Sequence, residues 1–321
     1  MLYITFIKII MDRKQLTDTV LMIRPLNFGY NPATALDNLY QKKDTGISSS
    51  IIAQKAQYEF DKFVDLLENH GIKVVQFVDD LPENTPDSLF PNNWITTHVN
   101  GDMFLYPMFS PNRRIERRLD IIEYLKRNFS VKNVFDYAID NEKAGRFLEG
   151  TGSMVLDREN KIAYASISKR TNNDLFNQWC QDMDFEGISF ISKDNHAPIY
   201  HTNVLMSVCQ NMVFICLDAV VMEQDRCRLL SLFNQTNKEV VDISVAQMNS
   251  FLGNVLELKN SSQESFLIMS TSAFNSLSSF QKNKINNSMS ILHSSLDTIE
   301  HFGGGSARCM IAEIFLTSKK Y

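Results

Sequence analysis

The chain has 321 residues, 44% of them hydrophobic and 21% charged, a globular balance that needs no disulfide staples to build a core. Its net charge is -5 with acids and bases interspersed, so no basic stripe invites nucleic acid, and no apolar run approaches the length of a bilayer span. The 5 cysteines form no C-x-x-C pair, which argues against a disulfide framework or zinc ribbon and fits a reducing cytoplasm.

Residues 1–14 read as a peripheral N-terminal extension. Residues 2–10 are apolar but interrupted by Lys8, without the basic start or cleavage site of a signal peptide. From there strands and helices alternate to the end, with no Pro/Gly/Ser-rich linker, so residues 15–321 read as one domain. Residues 19–24 form a buried strand. Residues 49–69 form an amphipathic helix with Ile52, Ala56, Phe63, Leu66 and Leu67 on one face, stopped by Gly71 before a β-branched strand over 72–78. Residues 94–99 and 103–108 make a hairpin across Asn100-Gly101. A helix is expected over 112–129, a hairpin from 153–157 to 161–166, a helix over 173–183 and a strand over 187–192. A third hairpin joins 204–209 to 212–217 and is followed by a helix over 223–234. Short strands at 240–243, 255–258 and 265–270 alternate with helices at 244–252 and 272–285, and a last strand covers 307–316. Hairpins between helices do not suit a purely parallel doubly wound sheet. Neither a dinucleotide fingerprint nor a phosphate-binding loop is present.

The run Gly303-Gly304-Gly305-Ser306-Ala307-Arg308-Cys309 sets one cysteine directly after a glycine loop, a setting that core strands avoid. Cys309 therefore reads either as a buried strand residue or as an accessible nucleophile. Arg308 would point to the opposite face of such a strand and is not expected to activate the thiol. His201, in Tyr200-His201-Thr202-Asn203, sits at a strand start. Its spacing of five from His196 matches no metal-binding period. Glu149, in Phe147-Leu148-Glu149-Gly150-Thr151-Gly152, is either a turn carboxylate or a site acid. The segment Pro86-Asp87-Ser88-Leu89-Phe90-Pro91-Asn92-Asn93-Trp94 packs a carboxylate, two amides and aromatics into one turn. A thiol, an imidazole and a carboxylate are the parts needed to attack a trigonal carbon and expel an amine.

Together with Ser168-Lys169-Arg170-Thr171-Asn172, these segments resemble the arginine deiminase and amidinotransferase superfamily, the pentein-fold guanidine-modifying enzymes, and most of all its citrulline-utilisation hydrolases. The resemblance spans residues 20–315. It implies a pentein fold, an α/β propeller of five ββαβ units around a central active site. It further implies Cys309 as nucleophile, His201 as general acid/base and Glu149 as the carboxylate that holds substrate nitrogen and orients the histidine. Asp87 matches the acid that meets the substrate α-amino group, and Arg113 and Arg170 match the arginines that clamp the α-carboxylate. Asn92 and Asn93 replace two acids found in the dimethylarginine hydrolases.

At Asn93 an acceptor-only carboxylate has become an amide with both donor and acceptor, which suits a neutral ureido group. The sequence thus points to a cysteine-dependent hydrolase that converts citrulline to ornithine, ammonia and carbon dioxide. It implies a small amino-acid substrate, no metal or organic cofactor, no nucleic-acid or membrane partner, and room for a homo-oligomer. A guanidine hydrolase, an amidinotransferase and a non-catalytic pentein-fold binding protein remain as alternatives.

Overall fold

The structure, a computed structural model, describes residues 14–44, 46–81, 83–195 and 197–319. The expected extension, apart from Lys14, and His196 lie outside the described residues. One arrangement of three strands recurs in five sheets. In each, a central strand pairs antiparallel with one neighbour, through a short connection in four of the five sheets, and parallel with the other through a helical crossover.

β1 (Thr19–Arg24) and β2 (Lys73–Val78) flank the Ser49–Asn69 helix. β3 (Ile95–Thr97), β4 (Asp102–Leu105) and β5 (Asn133–Asp136) form the second unit, with the Leu119–Asn128 helix. β6 (Val155–Asp157), β7 (Ile162–Ser166) and β8 (Glu186–Phe190) form the third, with the Asn173–Met183 helix. A two-stranded ribbon, β9 (Lys193–Asp194) and β10 (Ala197–Pro198), follows. β11 (Met206–Val208), β12 (Met212–Ile215) and β13 (Glu239–Asp242) carry the Glu223–Gln235 helix, and β14 (Leu256–Lys259), β15 (Ser265–Ser270) and β16 (Ser290–Ser294) carry the Ser279–Asn286 helix. Finally β17 (Ala312–Glu313) returns to pair antiparallel with β1, Val20 opposite Glu313 and Leu21 opposite Ala312. The chain thereby closes on itself, as the pentein fold requires.

Hydrophobic patterning explains the helices. The Ser49–Asn69 helix buries Ile52, Ala56, Phe60, Phe63, Val64 and Leu67, with Leu66 only partly covered, and Ser48 caps its first turn. Each large apolar side chain so buried contributes about 1.5–3 kcal/mol. Asn172 caps the Asn173–Met183 helix in the same way.

Four expectations need correction. The helix expected over 112–129 is a 3-10 segment (Pro111–Glu116) and an α-helix (Leu119–Asn128). Arg117 and Arg118 take non-helical backbone between them, so Arg113 turns in to Glu116 while Arg117 pairs with Glu142. The helix expected over 272–285 breaks at Leu277, because Ser278 opens a new capping box with Gln281. The strand expected over 307–316 shrinks to β17. Cys309 instead lies in a turn, where its N–H donates to the Ser306 carbonyl. The strands expected from 153 and 204 start later, because Gly150–Ser153 and Thr202–Leu205 are single helical turns. β5 and β16 carried no sequence signal, since their exposed faces blur the alternation.

Candidate active site

The departures just described share one geometry. Every unit enters its first antiparallel strand through a tight turn: Pro91–Asn93 before β3, Gly150–Ser153 before β6, Thr202–Leu205 before β11, residues 251–254 before β14 and residues 307–310 before β17. These turns bring Asn93, Glu149, His201 and Cys309 to one end of the ring. The first three turns are interlocked by glycines. A Cβ on Gly150, whose φ is +46°, would lie 2.3 Å from the Asn92 carbonyl. One on Gly152 would lie 2.5 Å from Asn93 Nδ2 and 2.7 Å from His201 Nδ1.

His201 Nε2 lies 2.7 Å from Glu149 Oε2, and both side chains are buried. The other carboxylate oxygen accepts the Phe109 N–H at 2.9 Å, and Arg170 Nη1 reaches Oε2 at 3.5 Å. Burial opposes the Glu149 charge, but Arg170, the His201 hydrogen bond and Arg113 outweigh it and hold the carboxyl down to about 2. Burial pushes the imidazole below its ordinary range, only partly offset by Glu149. With Glu149 ionised, Nε2 carries the proton toward it and Nδ1 is the basic nitrogen.

Cys309 is 4% exposed and lines one cavity together with His201, Asn93, Asp87, Arg113 and Arg170. Burial raises the thiol above its ordinary value; the Ser306 backbone N–H, the Asn254 amide, Arg308 and the Asn203 amide pull the other way. Arg308 itself turns away, to the Ile311 carbonyl and Glu313. At neutral pH the resting site thus holds a neutral thiol beside a neutral imidazole.

The remaining expected residues are placed as follows. Asp87 Oδ2 accepts from Asn31 at 2.7 Å and Thr34 at 3.0 Å, while its buried Oδ1 has no partner. Asn93 Oδ1 accepts from Arg113 Nη1 at 2.7 Å, leaving its buried Nδ2 without a partner. Asn92 does not line the cavity, and neither of its amide atoms finds a partner. Arg113 donates to Glu116 at 2.8 Å, and Arg170 forms a two-pronged pair with Asp37 while its guanidinium lies over the Tyr200 ring. Both forks expected to clamp a carboxylate are therefore occupied by the protein's own acids. Among the described residues no group of histidine, cysteine and acidic side chains could hold a metal ion, and no helix is long and apolar enough to cross a membrane.

Sequence reasoning missed Asp37, Glu116, Asn203 and Asn254. Asp37 lies in a loop without periodicity, and Glu116 fell inside the helix expected over 112–129 with nothing to mark it as a partner of Arg113. Asn203 stood inside a quoted motif. The signal for Asn254 was the Gly253-Asn254 pair ahead of a strand.

The family described as N,N dimethylarginine dimethylhydrolase, eukaryotic, matches residues 24–316. No curated protein matches the chain. Among solved structures, apo ArgZ, an arginine dihydrolase from the ornithine-ammonia cycle in cyanobacteria, is similar with a TM-score of 0.71 at 16% identity, over 92% of this chain and 40% of that one. The chain thus spans two-fifths of that protein's length. The separate N-terminal domain of ArgZ, as a cysteine-to-serine variant bound to substrate, gives a TM-score of 0.69 at 16% identity, covering 91% of this chain and 96% of the domain. A histidine-to-glycine variant of dimethylarginine dimethylaminohydrolase, as an adduct with S-methyl-L-thiocitrulline, gives 0.63 at 13% identity, covering 94% of this chain and 100% of that one. These likenesses show the pentein fold. The match across residues 24–316 shows more: the chain belongs to the N,N dimethylarginine dimethylhydrolase family, carbon–nitrogen hydrolases within the arginine deiminase/amidinotransferase superfamily.

Proposed function

We propose that the protein hydrolyses the ureido group of citrulline, giving ornithine, ammonia and carbon dioxide with consumption of one water. The observation that carries this reading is the orientation of Asn93. Arg113 can only donate, so the Asn93 oxygen must face it, and the amide N–H pair is left buried and unpartnered beside His201. An unpartnered donor in that position fits a carbonyl oxygen and opposes a guanidinium, which presents only N–H groups.

In this reading Cys309 passes its proton to His201 Nδ1 as substrate enters, and the thiolate attacks the ureido carbon. The carbonyl electrons move to oxygen, where the Asn93 N–H pair receives them. Collapse expels one nitrogen, protonated by His201. The same imidazole then takes a proton from water, whose oxygen attacks the S-linked carbonyl and breaks the S–C bond; the carbamate so formed loses carbon dioxide and frees the second nitrogen. Glu149 fixes the ring and stabilises its charged form. Asp87 Oδ1 waits for an ammonium, and Arg170 becomes available to a carboxylate when Asp37 withdraws.

A second reading, a guanidine hydrolase acting on arginine or a methylated arginine, is supported by the family and by the activities that ArgZ and dimethylarginine dimethylaminohydrolase are named for. An ammonia-release assay across citrulline, arginine, methylarginines and agmatine, with Cys309→Ala as control, separates the two. The expected result is ammonia and ornithine from citrulline, abolished in the variant. Citrulline accumulating from a guanidine, with none consumed, would overturn the first reading.

A further inference from the structure

Four of the five strand-entry turns deliver Asn93, Glu149, His201 or Cys309 to the site; the fifth, ahead of β14, was given no part in it. It delivers Asn254. A Cβ on Gly253 would lie 2.2 Å from the Val204 carbonyl oxygen, so only glycine lets this turn press against the one that carries His201 and Asn203. Asn254 is 1% exposed, and every polar atom of its side chain is engaged. Nδ2 donates to the Asn203 carbonyl at 2.9 Å and to Cys309 Sγ at 3.2 Å, and Oδ1 accepts the Cys309 N–H at 3.3 Å. Asn203 Nδ2 approaches the same sulfur at 3.5 Å.

The orientation of this amide is not free. A backbone N–H must meet its oxygen and a backbone carbonyl must meet its nitrogen, so the second N–H can only point at sulfur. We propose that Asn254 is a positioning residue for the nucleophile: it holds the Cys309 backbone and sulfur together and donates a hydrogen bond that strengthens when the thiol becomes a thiolate. The proposal rests on the reading of Cys309 as nucleophile. A neutral thiol is a weak acceptor, whereas a thiolate draws a charge-assisted bond, so the amide favours the deprotonated form. Other charged and titratable groups share this cavity. Asp87, Arg113, Arg170, Tyr200 and His201 line it, Glu149 acts through His201, and Arg308 adjoins the thiol in sequence while facing Glu313. None of them is bonded to the sulfur; the two asparagines are.

The test is a pH titration of the ultraviolet thiolate absorbance in the full chain, taken as the difference from a matched Cys309→Ala protein. Asn254→Asp keeps the shape but turns an oxygen toward sulfur, and Asn254→Ala removes the donor without burying a charge. A hydrogen bond to a charged group is lost in both, so the Cys309 midpoint should rise by about one unit in Asn254→Ala and by more in Asn254→Asp, about a tenfold or greater loss of thiolate at a fixed pH. A folded Asn254→Ala whose midpoint matches the parent would overturn the proposal, whatever happens to turnover. The titration follows sulfur and not product, so it stands apart from the nucleophile reading, which fails instead if Cys309→Ala retains activity.

Discussion

Gly152 has no side chain and still decides where the imidazole sits. A methyl group there would press on His201 Nδ1 and Asn93 Nδ2 at distances that atoms do not occupy, so Gly152→Ala must push the ring or the amide aside. A displacement of about 1 Å in a catalytic group costs on the order of 100-fold in rate. The expected outcome is a folded protein with kcat reduced by about that factor, checked by steady-state kinetics beside circular dichroism. Asn93 is open to an equally sharp test. Asn93→Asp replaces the unpartnered N–H pair by an acceptor beside Arg113 and should move preference from ureido toward guanidino substrates. An unchanged ratio of kcat/KM for citrulline and arginine would remove the basis of the substrate assignment. Cys309, His201, Glu149 and Asn93 were legible in the sequence only as a set: each alone also reads as a core, surface or turn residue, and their order along the chain carries the resemblance. Asn254 and Asp37 were not, because a lone asparagine or aspartate in a loop has no period to betray it.

At the scale of single elements, the short helix Asp297–Gly303 sets the loop that leads to Cys309. Its Glu300 accepts the Ser306 hydroxyl at 2.6 Å, and burial raises its carboxyl to about 7. The folded protein keeps this proton where the unfolded chain has lost it, so stability falls as pH rises from the ordinary glutamate range to about 7 and levels off above it. Glu300→Gln keeps an acceptor for Ser306 without a charge to bury. Its melting temperature should exceed that of the parent at about pH 8 and approach it near pH 5; equal melting curves at both would show that the carboxylate is solvated. Elements with a buried stripe and a cap, such as Ser49–Asn69 and Asn173–Met183, were read from sequence to their ends. Those that failed were set by distant contacts. Arg117 turning to Glu142 accompanies the break that splits one expected helix in two, and the turn at 307–310 is held by Asn254 of the neighbouring turn.

Viewed whole, the molecule presents a closed site. The cavity beside Cys309 measures about 10 Å³, room for about one water and far too little for an amino acid. It is closed by residues 31–41. Asn31 and Thr34 bond Asp87, Asp37 pairs with Arg170, and Asn38 and Gln41 bond the Gly303 carbonyl. Substrate entry therefore requires this segment to move, and Asp37 is its firmest attachment. Asp37→Asn gives up part of a charge-assisted pair and should speed alkylation of Cys309 by iodoacetamide about tenfold, read by mass spectrometry of the peptide that contains it. The same rate in parent and variant would mean that entry lies elsewhere.

The pairing of β17 with β1 joins one of the first strands to be synthesised with the last. So non-local a contact is slow to form. It also orders events on the ribosome: Glu149 and His201 emerge long before Cys309, which arrives three residues ahead of the strand that shuts the ring. A product cut short before Cys309 has neither the thiol nor the closing strand, so the cavity that Cys309 lines is completed only as the ring shuts.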